Sequence, residues 1–493
     1  MRRAVVGALV GLLALAGCTN NPYPDADTGQ KVLYSSFVEA PRTLDPAVAY
    51  TTAEHVVTAN VYDTLLEYHY LRRPYELIPG LATEVPKAVN LPDGGESYRF
   101  KLRDGVLYHP DPSFALGEKG RMTRKAVAGD VAFQLMRLAD PAVNSPVAST
   151  FSDVPGFTDL GKRLTEMRKD AQFAALPRHV QYQKAGGLPG VIVHGDLDIE
   201  IQLTQPNPQI LYWFAMPFTT PMPWEAIAYY DGKEGRGNLS DQAVGTGPFR
   251  LSRYEKQHRF TLEKFKDWYG LSAATAPTPG VIFPSDISTE DVKAGHIDPS
   301  YGGKRMPFLE RIVFTREREG IPRFNKMLQG YYDDGGIIKE SFDAIVQDDR
   351  LSPEMAARGL RLDKEVEPTI FYMGFNMDDP VLGHAAGDKG RKLRQAMSLA
   401  IDVPEYLRLF LNGRGEPAQS PLPPAIFGYD KGYKNPFRQP DIARGRALLT
   451  EAGYKNGIDP ATDQPLKLSF DTGNTTAQAL LQYQFMVNAW QQL

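Results

Sequence analysis

Cys18 is the only cysteine among 493 residues, so no disulfide can brace this chain and its fold must be held by buried apolar surface. The material for that is present. Hydrophobic residues make up 42% and charged residues 23% of the sequence, close to the averages of soluble domains. One core does not serve so long a chain, which predicts two or three domains. The position of Cys18 is the second constraint. Arg2 and Arg3 precede an apolar run from Ala4 to Ala16 that closes in small residues. That order of charge, apolar core and small residues is a secretory signal peptide, placed at 1–17. The run is shorter than the roughly 20 residues a membrane-spanning helix needs.

Leu15-Ala16-Gly17-Cys18 also resembles a bacterial lipobox, which implies cleavage before Cys18 and lipidation of its thiol. The polar, turn-rich stretch that follows predicts a flexible tether over 18–30. A net charge of −4 and the absence of a basic face interleaved with aromatics exclude a nucleic-acid partner. The eight histidines show no metal-ligand spacing and there is no second thiol, so no metal or other cofactor is expected. No nucleophile elbow or phosphate loop occurs. Gly245-Thr246-Gly247-Pro248 reads as a structural turn, because an alternating strand follows it rather than a helix. The adjacent acids Asp333-Asp334 and Asp378-Asp379 read as solvated turn residues.

Hydrophobic periodicity places the elements. Lys31–Phe37 is a short strand, Glu54–Tyr68 has helical spacing, and Glu96–Pro110 begins as a half-buried alternating strand. Ala128–Asp140 is a helix with Asp130 near its start. Asp196–Leu203 alternates again, and Gly247–Phe265 reads as a hairpin. A Pro- and Gly-rich stretch from Gly270 to Pro307 predicts a crossing between lobes. Beyond it come a strand at Phe308–Thr315, a helix closed by Gly330, and a strand over Pro368–Asn376. Helices follow at 391–402 and 441–454, the second with Gly453 as its C-cap. Residues 477–493 form an amphipathic helix still open at Leu493, which predicts a further C-terminal part. Irregular alternation of strands and helices predicts mixed α/β lobes rather than a barrel.

Several phrases follow one another in a fixed order: "PRTLDP" (41–46), "VYDTLLEY" (61–68), "YRFKLRDGVLYHP" (98–110), "AVGTGPFRLSRY" (243–254), "KRMPFLERIVF" (304–314), "FYMGFN" (371–376), "KLRQAMSLAID" (392–402) and "ARGRALLTEAGY" (443–454). This succession resembles the family 5 extracellular solute-binding proteins, the oligopeptide, dipeptide and nickel receptors of ABC importers. The resemblance implies a periplasmic binding protein-like fold: two mixed α/β lobes with a hinge, and a subdomain inserted in the first. It places lobe I at 31–61 and 194–276, the insertion at 62–193, and lobe II from 277 onward, with the C-terminal return to lobe I missing.

The function implied is a receptor, a monomer without catalytic chemistry, that captures peptides and delivers them to an ABC permease in the inner membrane. It would sit on the periplasmic or cell-envelope face, held to the bilayer through Cys18. Strand-edge candidates for peptide backbone are Val38, Glu39 and Ala40 after the first strand, and Phe371, Tyr372, Met373, Gly374, Phe375 and Asn376. Glu39, Asp378 and Asp379 are candidates for a ligand amine. Trp213 and Trp224 are candidate ligand-lining aromatics. The alternatives are a non-peptide ligand (nickel chelate, sugar oligomer or opine-like compound), a secreted cell-wall hydrolase with a perturbed acid pair, and a sensor or adhesin on the same fold.

Overall fold

The computed structural model describes residues 23–493 apart from 73–74, 231–236, 273–277, 279, 294–296, 349, 365–367, 425 and 427. The signal-peptide segment and Cys18 lie outside the described residues. The chain divides into two compact units, Met1–Arg318 with Pro322–Gly335, and Glu319–Ile321 with Gly336–Leu493.

The strands of the first unit are β1 (Val32–Phe37), β2 (Leu66–Tyr68), β3 (Leu77–Pro79), β4 (Val89–Asn90), β5 (Glu96–Lys101), β6 (Val191–Gly195), β7 (Asp198–Leu203), β8 (Phe249–Glu255), β9 (Arg259–Lys264) and β10 (Arg311–Arg316). The hairpin predicted at 247–265 is β8 and β9, turning through Gln257 at φ 66°. Its alternation buries Phe260 and Leu262 on one face. A sheet in the order β1-β10-β9-β8 forms around it, with β1 parallel to β10 and β1 as its edge. A second, antiparallel sheet runs β4-β5-β7-β6 and buries Phe100, Ile199, Ile201 and Leu203. The helix Ala128–Ala139 packs on it, and Asp130 accepts from the Val127 amide at 3.0 Å, closing the first turn.

Two strand pairings cross the expected boundaries. The insertion was expected to end at 193, but β7 pairs with β5 throughout its length, so the second sheet continues to Leu203. The second lobe was expected from 277, yet β10 at 311–316 lies between β1 and β9. The physical reason is shared: each strand finds its ladder partner far away in sequence, antiparallel for β5 and β7 and parallel for β1 and β10, and such pairing leaves no local trace. The helix predicted over 54–68 is also shorter. It spans Thr52–Val61, capped by Thr51 and Glu54, and Leu66–Tyr68 instead pairs with β3.

Buried ion pairs tie the first unit together. Arg124 reaches Asp130 at 2.7 Å and Glu225 at 2.7 Å. Arg137 holds Asp45 at 2.6 Å, and Arg168 holds Asp140 at 2.5 Å. The Gly245–Pro248 turn is structural, as expected. Gly247 donates to the Val61 carbonyl at 2.9 Å, and a Cβ on Gly245 would stand 2.0 Å from that oxygen. His109, pushed down to about 4 by burial, braces the turn from the Gly247 carbonyl at 2.8 Å.

In the second unit the helices Gly387–Ala400 and Ile442–Glu451 pack around Leu393, Ala396, Met397 and Leu449. Gly453 at φ 94° ends the second of them, as the sequence predicts. The helix Ala477–Trp490 joins this core, its Trp490 indole donating to the Met397 carbonyl at 3.2 Å. The strand expected at 368–376 does not form. Phe371 and Tyr372 are 88% and 81% exposed in irregular chain. Alternation alone does not make a strand; its backbone needs a neighbouring ladder, and among the described residues of this unit none lies alongside.

Candidate functional site

The first sheet offers a cavity of about 320 Å3 at its β1 edge. Its floor follows from register: Ser35 of β1 pairs with Phe314 of β10, which pairs with Phe260 of β9, so all three point to one face. Phe260 stacks on Phe314 at 4.6 Å and meets Phe37 at 5.2 Å, giving an aromatic wall. Leu33 and Pro41 extend the lining, and Ala53 and Val56 of the helix Thr52–Val61 face it. Asp334 supplies a carboxylate, held by the Ser35 hydroxyl at 2.8 Å.

The edge itself is half covered. The Tyr34 amide donates to the Asp333 carboxylate at 2.7 Å, and the Asp333 amide donates to the Tyr34 carbonyl at 2.8 Å. Asp333 thus imitates one rung of a strand. Both polar groups of Tyr34 face away from β10, and alternation gives Ser36 the same outward register one rung further along. Val38, Glu39 and Ala40 continue from there. Glu39 is exposed, without a hydrogen bond or ion pair among the described residues, two positions past Phe37.

Phe371–Asn376, Asp378 and Asp379 belong to the second unit. Asp379 is spent on a turn, accepting from the Val381 and Leu382 amides at 2.8 Å, and the Asn376 side chain accepts from the Asp378 amide at 3.0 Å. Phe375 packs against the core of that unit. Trp213 is half-buried beside Phe151 and Phe218, and Trp224 lies against His179 at 4.1 Å. Neither tryptophan lines the cavity at β1.

Asp333 and Asp334 are the residues sequence reading missed. Adjacent acids in a loop look like solvated turn formers, and both do remain exposed, but their carboxylates turn onto a strand some 300 positions earlier. The tyrosines and glycines around them, "GYYDDGG", are the one local sign of an ordered loop.

A second acidic pair lies inside the first unit. Burial raises the Asp63 carboxyl, and the Glu67 charge beside it raises it further. Burial pushes Glu67 up to about 7 against the opposing pull of Arg103. Asp63 accepts from the Trp268 indole at 3.2 Å, and the Glu67 side chain is wedged so that a Cβ on Gly280 would stand 2.9 Å from it. Among the described residues no cluster of histidine, cysteine and carboxylate groups is arranged to hold a metal ion, and no helix is long and apolar enough to cross a membrane.

Comparison with known proteins gives consistent results. The chain is 23% identical over 466 residues to di/tripeptide-binding protein 1 of Pseudomonas aeruginosa, covering 93% of this chain and 69% of that one. It is 26% identical over 400 residues to the peptide transport periplasmic protein SapA of Salmonella typhimurium, covering 81% and 57%. The chain therefore spans well short of the full length of these relatives. Among solved structures, the murein tripeptide binding protein MppA of Escherichia coli matches with a TM-score of 0.63 at 18% identity, over 94% of this chain and 73% of that one. DppA of Helicobacter pylori, solved with the peptide STSA, matches with a TM-score of 0.60 at 19% identity, over 95% and 74%. These likenesses show the periplasmic binding protein fold. The profile of the bacterial extracellular solute-binding proteins, family 5 (middle region) matches residues 76–493, and the chain belongs to that family.

Proposed function

We propose that this protein is the solute-binding receptor of an ABC importer, which captures short peptides and passes them unaltered to a membrane permease. The observation that carries the reading is the β1 edge. An outward-facing backbone rung at Ser36 lies beside an apolar cavity with Asp334 at its rim, and Glu39 follows on the same strand exit. An extended peptide adds to such an edge by main-chain hydrogen bonds, which read no side chain, while a roomy pocket accepts varied side chains. The peptide-binding relatives of similar sequence support the same class of ligand. In this reading the first compact unit is lobe I with its inserted subdomain, the second is lobe II, and Cys18 carries the lipid that keeps the receptor at the cell-envelope face, near its permease.

The hydrolase alternative is less well supported. Of the raised acids, Asp63 accepts from the Trp268 indole and Glu67 is packed against Gly80 and Gly280, and neither lines the cavity at β1. The test is mass spectrometry of molecules that co-purify with the full chain. Peptides of narrow length are expected; a pool of glycan fragments or of chemically altered products contradicts the proposal.

A further inference from the structure

The segment expected to be a free tether is fastened down from Tyr23 onward. The Tyr23 ring stacks on Tyr34 of β1 with centroids 4.0 Å apart and planes 12° apart. Its hydroxyl donates to Asp333 at 3.1 Å. A 3-10 turn follows at Asp25–Asp27, in which the Asp27 amide donates to the Pro24 carbonyl at 2.9 Å and the Thr28 amide to Asp25 at 3.1 Å. The Asp27 carboxylate, 7% exposed, takes both the Tyr34 hydroxyl and the Arg311 guanidinium of β10. A stacked ring, a turn and a shielded ion pair on two neighbouring strands make a strap, not a random linker.

We infer that residues 23–30 form a docked strap that shortens the leash between the lipid-bearing Cys18 and the folded body to Thr19–Pro22. The inference rests on the lipoprotein reading of Cys18. Five backbone steps from Cys18 to Tyr23 reach at most about 18 Å. A tether free up to Lys31 would reach about 45 Å by the same measure. The strap therefore holds the β1 edge of the first unit near the bilayer surface. It also sets the orientation. Tyr34 points to the opposite side of β1 from Ser35 and Leu33, which line the cavity, so the anchor is fastened to the face away from the peptide site. The partner surface is lipid, and the leash is too short for the body to tumble freely over it.

The test uses the acylated full chain in vesicles of phosphatidylethanolamine and phosphatidylglycerol. An endoproteinase that cuts before aspartate is added, and released chains beginning at Asp25 are counted. Wild type is expected to release slowly, and Tyr23→Ala with Asp27→Asn roughly tenfold faster, because the strap must open before it is cut. Tyr23→Phe, which keeps the stack and loses one hydrogen bond, falls between. Equal rates for wild type and the double variant overturn the docked strap. A mutation-free readout accompanies this: the Asp27 and Thr28 amides are expected to be protected from hydrogen exchange, and full exchange at the intrinsic rate overturns the strap independently. The anchor is judged separately. If Cys18→Ser stays in the membrane fraction of cells, the lipoprotein reading fails whatever the strap does.

Discussion

Asp333 closes one rung of the β1 edge against Tyr34, with its carboxylate on the Tyr34 amide at 2.7 Å and its own amide on the Tyr34 carbonyl at 2.8 Å. In the proposed reading an added strand cannot use that rung and pairs at Ser36, because the Val38 carbonyl beyond it accepts from the Arg316 guanidinium at 3.1 Å. Ser36→Pro removes the next outward amide while leaving an edge strand that tolerates proline. Peptide affinity is expected to fall about tenfold, the worth of one main-chain hydrogen bond, with the thermal midpoint nearly unchanged. Calorimetric titration of the variant checks this, and undiminished affinity places the peptide elsewhere.

The cavity offers a steric version of the same test. Val56 faces it from the helix Thr52–Val61 and is 38% exposed. Val56→Trp fills open space without overpacking a core, so the fold is expected to survive. Peptides with a bulky side chain should bind at least about tenfold more weakly, while glycine-rich peptides of the same length lose less. A uniform effect on both sets argues that the cavity holds no side chain.

Glu39 is expected to recognise a charged amine rather than backbone. Glu39→Gln keeps its shape and removes its charge. Peptides with a free amino terminus should lose roughly threefold to tenfold in affinity, the range of an exposed charge-assisted contact. N-acetylated peptides should be unaffected. Equal loss for both forms assigns Glu39 a structural role.

Glu67 links stability to pH. Its carboxyl titrates near 7 in the folded chain, with burial the main cause, against an ordinary value of 4.5. The folded state therefore holds a proton that the unfolded state has released between those two values. Stability is fullest below the unfolded pKa and is lost as pH rises through about 7. Glu67→Gln is expected to stabilise the protein at pH 8 by no more than about 3 kcal/mol, with the gain vanishing near pH 4. Urea unfolding at the two pH values measures it, and an equal effect at both contradicts the linkage.

Arg124 is shared by Asp130 and Glu225 at 2.7 Å each, with both carboxylates shielded from solvent. Arg124→Ala leaves two buried acids facing each other without a cation. Unfolding free energy is expected to drop by about 3–5 kcal/mol, read as a lower urea midpoint.

Much of this architecture was legible locally. Tyr98, Phe100 and Leu102 alternate with Arg99, Lys101 and Arg103, and β5 stands where that alternation falls. Gly330 and Gly453 end their helices in the left-handed region, as a C-terminal glycine should. What the sequence hid is non-local. The pairing of Val32–Phe37 with Arg311–Arg316 spans nearly 280 positions, so no periodicity announces that residues beyond 277 return to the first unit. Phe371–Asn376 carries the apolar pattern of a strand, yet strand formation depends on a neighbour that pattern cannot supply. The same limit applies to the candidate site. Val38–Ala40 follow a readable strand, whereas Asp333 and Asp334 gain their meaning only from the distant edge they touch.

Titration calorimetry of the full chain with free peptides of two to five residues tests the receptor function most directly. One peptide bound per chain is expected, with a negative heat-capacity change from burial of apolar surface, and the peptide recovered intact afterwards. Absence of binding across the whole panel, or recovery of cleaved peptide, would contradict a receptor that captures peptides without chemistry.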